Sequence, residues 1–233
     1  MLLHGLLSGE AAWRALGYVA ALADSYQVVS IDALGHGRSD KPADPALHQR
    51  SQRVGDVLAV LDDLGAAQAH VVGYSMGSWQ AASMALLAPT RVASLVVGGW
   101  DLVDGLKTAA PTLAKYAELA GIEPGFDALI EAARAERPEL LGWITPDVEP
   151  GLRAAWDALS DLDGTAEAVA ALDVPVMLWD GAEDDYHDPM ETFAQERDLK
   201  FVTTPGNHAS AIMDETGTAR TAIRAFLDEA RKA

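Results

Sequence analysis

The 233-residue sequence contains no cysteine, which excludes a disulfide framework, a thiol nucleophile and a cysteine-ligated metal site. Basic residues are also scarce. Lysine and arginine number 17 against 35 aspartates and glutamates, which gives a formal net charge of -18 at pH 7. Because such a charge repels phosphate groups and anionic lipid surfaces, we expect neither nucleic acid nor a membrane as a partner.

Long apolar runs are absent as well. No stretch approaches the roughly 20 residues that a bilayer-spanning helix needs, and residues 1–7 have neither the basic start nor the length of a secretory signal. We therefore expect a soluble, cytoplasmic protein. A length of 233 residues with 49% hydrophobic residues suits one globular domain with a large core.

Short apolar strands alternate with helices along most of the chain, as in a parallel sheet covered on both faces. Strands are predicted at residues 1–5, 27–31, 69–72, 94–97, 174–179 and 199–202. Helices are predicted around 13–22, 54–64 and 79–87, and a final helix around 212–227. The pattern predicts an α/β fold with a mostly parallel sheet.

The alternation lapses between residues 101 and 172. This segment is rich in alanine and acidic residues and is interrupted repeatedly by proline and glycine, which predicts several short helices inserted between two strands. We expect a core formed by residues 1–100 and 173–233, with 101–172 as a short helical cap.

The segment Gly73-Tyr74-Ser75-Met76-Gly77 joins a buried strand directly to a helix. So sharp a turn forces Ser75 towards positive φ and requires small residues two positions before and after it, which Gly73 and Gly77 provide. The hydroxyl is then exposed beside the unpaired N–H groups at the helix start. The segment therefore predicts a nucleophile next to an anion site.

A serine nucleophile needs a base to take its proton and an acid to orient that base. His208 follows the predicted strand at 199–202 and Asp184 follows the strand at 174–179, which gives the order serine, acid, histidine. Asp185 and Asp188 lie in the same loop as Asp184, and Asp101 follows the strand at 94–97, so these three remain alternatives for the acid.

Together these features resemble the α/β-hydrolase family, in the branch that carries a helical cap between the sixth and seventh strands. The resemblance implies an oxyanion hole formed by the backbone N–H groups of Leu6 and Met76. Trp100 and Trp143 are candidates for an apolar substrate pocket, or else they fasten the cap to the core. The resemblance rests on His4-Gly5, the 32–42 loop, 73–77, 181–184 and Gly206-Asn207-His208.

The predicted activity is hydrolysis of a small carboxylic ester or lactone through an acyl-enzyme. Family members with a loop like 32–42 include haloalkane dehalogenases and epoxide hydrolases, which use an aspartate where this chain has Ser75. A carbon–carbon bond hydrolase, a cofactor-free perhydrolase and a ligand-binding sensor with slow turnover remain alternatives. We expect no metal or cofactor, because no histidine stands at ligand spacing beside the acidic pairs and Gly35-x-Gly37 lacks the third glycine of a dinucleotide site.

The family usually has two further strands before the histidine-glycine strand, and here only three residues precede His4. The absent pair would lie beyond the strand at 27–31. That strand is therefore predicted to be an exposed edge, where a homodimer can form.

Overall fold

The computed structural model describes residues 1–136, 138 and 141–232. Residues 137, 139 and 140 of the predicted cap, and Ala233, lie outside the described residues. The described chain forms a six-stranded parallel sheet in the order β2-β1-β3-β4-β5-β6. The strands are β1 (Leu2–Leu3), β2 (Ser30–Ile31), β3 (Ala69–Tyr74), β4 (Val92–Gly98), β5 (Val176–Gly181) and β6 (Lys200–Thr204). The predicted fold class is confirmed.

Helices cover both faces of this sheet. Alternate residues of each strand face opposite sides, so Val71 and Leu95 lie in one buried apolar cluster while Val72 and Val96 lie in the other. The helices are α1 (Glu10–Ala15), α2 (Tyr18–Leu22), α3 (Arg50–Asp63), α4 (Met76–Leu87), α5 (Ala110–Ala120), α6 (Phe126–Glu136), α7 (Glu149–Ala158), α8 (Thr165–Ala170), α9 (His187–Glu196), α10 (His208–Met213) and α11 (Thr218–Ala230).

Two predicted helices are each divided in the structure. The helix expected around residues 13–22 is α1 and α2, separated at Gly17, whose φ is 81°. The expected final helix is α10 and α11, separated at Asp214 and Gly217 with φ of 48° and 73°. Left-handed residues end helices, and an apolar periodicity that runs across such a residue does not reveal the break.

All six strands differ from the prediction at one end or both, and two of the differences bear on the site and on the sheet edge. β5 continues through Asp180 to Gly181, which places Asp180 in the sheet rather than in the following loop. β2 comprises only Ser30 and Ile31, because its neighbour β1 offers two residues for pairing. β2 lies at one edge of the sheet, and dimerisation there stays a prediction.

The segment between β4 and β5 contains α5 to α8, and its described residues include no strand. α5 packs against α6, and α7 packs against the 3-10 turn Pro45–His48. α8 packs on α4. The division into a core and a cap at residues 101 and 172 remains a prediction. No helix in the described part of the chain is long and apolar enough to cross a membrane.

Candidate active site

Ser75 occupies the turn between β3 and α4. Its φ of 55° and ψ of -121° lie in a region that costs a residue other than glycine roughly 1–3 kcal/mol. The surrounding backbone holds this conformation. The Ser75 N–H donates to the Gly98 carbonyl at 2.8 Å, and the Ser75 carbonyl accepts from the Ser78 N–H at 2.8 Å. The nucleophile candidate is thus fixed to β4 on one side and to α4 on the other.

Two glycines make this turn possible. A Cβ atom at Gly73 would collide with the Gly77 backbone, and a Cβ atom at Gly77 would collide with the Leu3 carbonyl of β1. The helix therefore approaches both β3 and β1 more closely than any side chain permits. The small residues that the sequence analysis required at these positions are explained by backbone contact.

His208 is the first residue of α10. Asn207 and Ser210 form a capping box at this helix start, which fixes the histidine backbone. The Tyr74 hydroxyl donates to the His208 carbonyl at 2.6 Å. The Nε2 atom of His208 lies 3.0 Å from the Ser75 Oγ, which is the distance at which it can take the hydroxyl proton.

Asp184 lies in the loop after β5, and its side chain is only 4% exposed. Its Oδ2 accepts from the Nδ1–H of His208 at 2.7 Å, so Nε2 of the neutral ring is free to act as the base. Burial by itself would raise the pKa of the Asp184 carboxyl. The His208 charge and hydrogen bonds from His208, Asp180 and the Tyr186 backbone outweigh burial and hold that pKa below its ordinary value.

The three alternative acids are engaged elsewhere. The Asp101 carboxylate accepts from the Val103 N–H at 2.8 Å and from the Thr108 hydroxyl at 2.6 Å, so it stabilises the loop after β4. Asp185 faces the Thr112 N–H at 3.3 Å. Asp188 is 95% exposed and pairs with His187. Of the four carboxylates considered, the structure brings only Asp184 to His208.

The loop that contains Leu6, one of the two predicted oxyanion-hole residues, passes beside Ser75. Gly5 is so close that a Cβ atom there would stand 3.9 Å from the Ser75 Oγ. Within the described chain, neither the Leu6 nor the Met76 N–H donates to another backbone carbonyl. Both amides are therefore available to a ligand, as an oxyanion hole requires.

Two buried histidines that were assigned no chemical role shape this loop. His4 accepts the Ala33 N–H on Nε2, so its Nδ1 carries the hydrogen and donates to the Gly5 carbonyl at 2.8 Å. That carbonyl belongs to the same peptide unit as the Leu6 N–H. His36 Nε2 contacts the Leu6 carbonyl on the following peptide. Their position in the predicted loops was the available signal, but only the structure shows which peptides they orient.

The two tryptophans lie around the site at different depths. Trp100 is fully buried and packs against Tyr186, whose ring lies 5.4 Å from that of His208. Trp143 is partly exposed and packs against His36. Their role in substrate binding stays a prediction. Cavities of about 210 and 350 Å³ occur elsewhere and include neither Ser75 nor His208, so hydrogen-bond geometry rather than cavity volume marks the site.

The comparison with known families agrees with the fold. A family described as "alpha/beta hydrolase fold" matches residues 1–118, which is half of the chain and includes the Ser75 turn. The chain belongs to the alpha/beta hydrolase fold family. Asp184 and His208 lie beyond the matched region, so their assignment depends on the hydrogen bonds described above.

Two similar proteins carry hydrolase names. Epoxide hydrolase B of Mycobacterium tuberculosis is 31% identical over 87% of this chain and 64% of its own length. The 2-hydroxymuconate semialdehyde hydrolase of a Pseudomonas species is 31% identical over 74% of this chain and 64% of its own length. This chain therefore spans a little under two thirds of either relative.

Among solved structures, a hydrolase from Pseudomonas aeruginosa superposes with a TM-score of 0.73 at 25% identity. The match covers 97% of this chain and 88% of that one. The similarity thus extends well beyond the residues that the family description matches.

Proposed function

We propose that the protein is a serine hydrolase that cleaves a small carboxylic ester or lactone through an acyl-enzyme intermediate. One observation carries the proposal: Ser75, His208 and Asp184 form a continuous chain of hydrogen bonds, 3.0 Å from Oγ to Nε2 and 2.7 Å from Nδ1 to Oδ2. A hydroxyl activated in this way attacks carbonyl carbon.

In the proposed reaction His208 takes the Ser75 proton as Oγ bonds to the substrate carbonyl carbon. The carbonyl oxygen becomes an oxyanion facing the Leu6 and Met76 N–H groups, and Asp184 stabilises the imidazolium. Collapse of the tetrahedral intermediate breaks the bond to the leaving group, which receives the proton from His208. Water, deprotonated by His208, then attacks the acyl-enzyme and releases the acid, and Ser75 regains its proton.

The nucleophile argues against epoxide hydrolysis, although one relative carries that name. Attack by the Ser75 hydroxyl on an epoxide carbon would give an ether. An ether has no carbonyl for water to attack, so the enzyme would be trapped after one turnover. Attack on an ester or a lactone gives an acyl-enzyme that water can cleave.

Carbon–carbon bond hydrolysis is a second candidate, because a 31% identical relative is named 2-hydroxymuconate semialdehyde hydrolase. The two candidates share the triad and differ in the leaving group, which is carbon in one and oxygen in the other. Turnover of 2-hydroxymuconate semialdehyde without turnover of esters and lactones would favour this second candidate.

The experiment is labelling with a fluorophosphonate probe, followed by a panel of short p-nitrophenyl esters and lactones. Labelling and turnover are expected in the wild type and are expected to disappear in Ser75→Ala. Ser83→Ala is the matched control, because Ser83 is a buried serine of the adjoining helix α4, and its hydroxyl donates to the Trp79 carbonyl. Equal labelling of Ser75→Ala and the wild type would refute the proposal. Labelling of Ser75 without turnover of any substrate would favour a ligand-binding sensor.

A further inference from the structure

Asp180 is a buried carboxyl group close to the triad, and the reaction above does not use it. It lies on β5 four residues before Asp184, on the same strand face as Leu178, and it is completely buried. Its Oδ1 accepts the Gly181 N–H at 2.8 Å. Its Oδ2 is buried and has no donor in the described part of the structure.

A buried ionised carboxylate is stable only when cations or donors surround it. Asp180 has neither at Oδ2, and no described lysine, arginine or histidine forms an ion pair with it. The titratable groups that face Asp180 are the Asp184 carboxyl and the hydroxyls of Tyr74 and Tyr186. Each of these groups would be negative or neutral, so none compensates a charge on Asp180.

The Asp180 and Asp184 carboxyls interact directly, and a hydrogen bond between them accounts for part of the displacement of each pKa. Two carboxylates cannot form that bond unless one of them carries a proton. Asp184 accepts the His208 Nδ1–H on Oδ2 and faces the Tyr186 N–H at 3.4 Å on Oδ1, and both contacts suit an anion. The proton therefore belongs on Asp180.

We propose that Asp180 is a protonated carboxylic acid that donates a hydrogen bond to Asp184 and so acts as a positioning residue for the triad acid. The proposal deepens the serine hydrolase assignment and, as far as catalysis is concerned, rests on it. It gives the unpartnered Oδ2 a role as a donor. It also provides Asp184 with a third hydrogen bond and adds no net charge beside His208.

The electrostatics agree with this geometry. Burial, together with the adjacent Asp184 charge, raises the pKa of Asp180 well above its ordinary value. The pKa of Asp184 is displaced downward, in part by the hydrogen bond from Asp180. Two carboxyls whose pKa values are pushed apart divide their roles between donor and anion.

The proton can be observed without any activity. Infrared spectra of the folded protein at neutral pH are expected to show the C=O band of a protonated carboxyl, and the band is expected to vanish in Asp180→Asn. Asp214→Asn is the matched control. Asp214 is equally buried, but it pairs with Arg220 and accepts two backbone N–H groups, so its loss should leave the band unchanged. A wild-type spectrum without the band, or a band that persists in Asp180→Asn, would overturn the proposal.

The pH dependence of kcat/KM tests the positioning role. Asp180→Leu removes the hydrogen bond to Asp184, so the Asp184 charge stabilises the His208 imidazolium more strongly. The acid limb of the kcat/KM profile should then move to higher pH by about one unit, and kcat should fall about tenfold. Asp180→Asn keeps an N–H donor for Asp184 and an acceptor for Gly181, so it should retain the wild-type limb and most of the activity.

If Asp180 were ionised, the acid limb of the kcat/KM profile would shift in the opposite direction. Both variants would then remove a negative charge near His208, and both acid limbs would move to lower pH, which would contradict the proposal. If Asp180→Leu does not fold, the Asn variant alone separates the two cases. If the wild type shows no turnover at all, the serine hydrolase assignment fails, while the infrared result still decides whether Asp180 is protonated.

Discussion

The Ser75 turn and the Asp180–Asp184 segment each deliver one end of the same hydrogen-bonded chain, and they are stabilised by different forces. The turn is held by backbone contacts, with Gly77 against the Leu3 carbonyl and the Ser75 N–H on Gly98. The acid segment is held by protons and charges, with two buried carboxyls side by side and one of them bonded to His208.

This difference sets what each region tolerates. Steric contact does not depend on pH, but it admits no additional atom because the neighbouring backbone cannot move aside. A carboxyl pair accepts isosteric replacement, but its free energy changes with every proton gained or lost. Substitutions that add volume should therefore destabilise the turn. Substitutions that change charge, and changes of pH, should destabilise the acid segment.

The largest effect is expected from the charge of Asp184. Asp184→Asn presents an amide in place of the carboxylate, so the ring no longer has an anion to fix its tautomer and stabilise its charged form, and kcat should fall on the order of 10⁴-fold. Asp185→Asn, the adjacent position, should change kcat less than about threefold, because Asp185 faces only the Thr112 N–H. Steady-state kinetics on both variants decide whether Asp184 or Asp185 is the triad acid. A larger loss in Asp185→Asn would mean that the acid was assigned to the wrong residue.

The candidate triad residues were accessible from the sequence, because each follows a recognisable strand. Ser75 lies between two glycines, and Asp184 and His208 come after later strands in the expected order. A polar residue that follows a predicted strand is a useful signal here, because parallel strands place their carboxyl ends at one edge of the sheet.

Asp180 could not be assigned in that way. The apolar run ends at Trp179, so the sequence predicts that a loop begins at the next residue. The available signal was its period-2 relation to Val176 and Leu178, which share a face of β5. The absence of a donor at Oδ2 is a property of the assembled core, and no local sequence pattern encodes it.

The Ser75 turn has no space for an added side-chain atom at Gly77. Gly77→Ala places a Cβ atom on the Leu3 carbonyl, so the free energy of unfolding should fall by about 3 kcal/mol. Gly55→Ala is the matched control. Gly55 lies inside α3 with nothing within 4 Å of an added Cβ, and alanine there should stabilise by about 0.5–1 kcal/mol. Urea denaturation measures both, and a stable Gly77→Ala protein would show that the turn can relax.

The stability of the acid segment should depend on pH, whereas that of the Ser75 turn should not. Burial raises the pKa of Asp180 in the folded state, so the native protein holds a proton that the unfolded chain has released above its ordinary pKa of 3.8. The free energy of unfolding therefore falls as pH rises, by up to about 1.4 kcal/mol per pH unit, until Asp180 ionises in the native state. The measurement belongs above pH 8, because burial lowers the pKa of the Met1 amino group from 8.0 to about 5. That group therefore adds stability as pH rises towards 8 and opposes the Asp180 decline below that pH. Burial lowers the pKa of His36 to about 3, and its contribution is lost only as pH falls below 6.5.

Asp184 does not disturb that window, because its lowered pKa makes a contribution that is lost only in acid. Denaturation of the wild type, Asp180→Asn and Gly77→Ala between pH 8 and 9 should then give two kinds of curve. Asp180→Asn should flatten the decline, since the amide has no proton to lose, whereas Gly77→Ala should lower the whole curve in parallel. A parallel shift in Asp180→Asn would mean that Asp180 is already ionised in the folded protein, and the acid segment would then differ from the turn in composition but not in its response to pH.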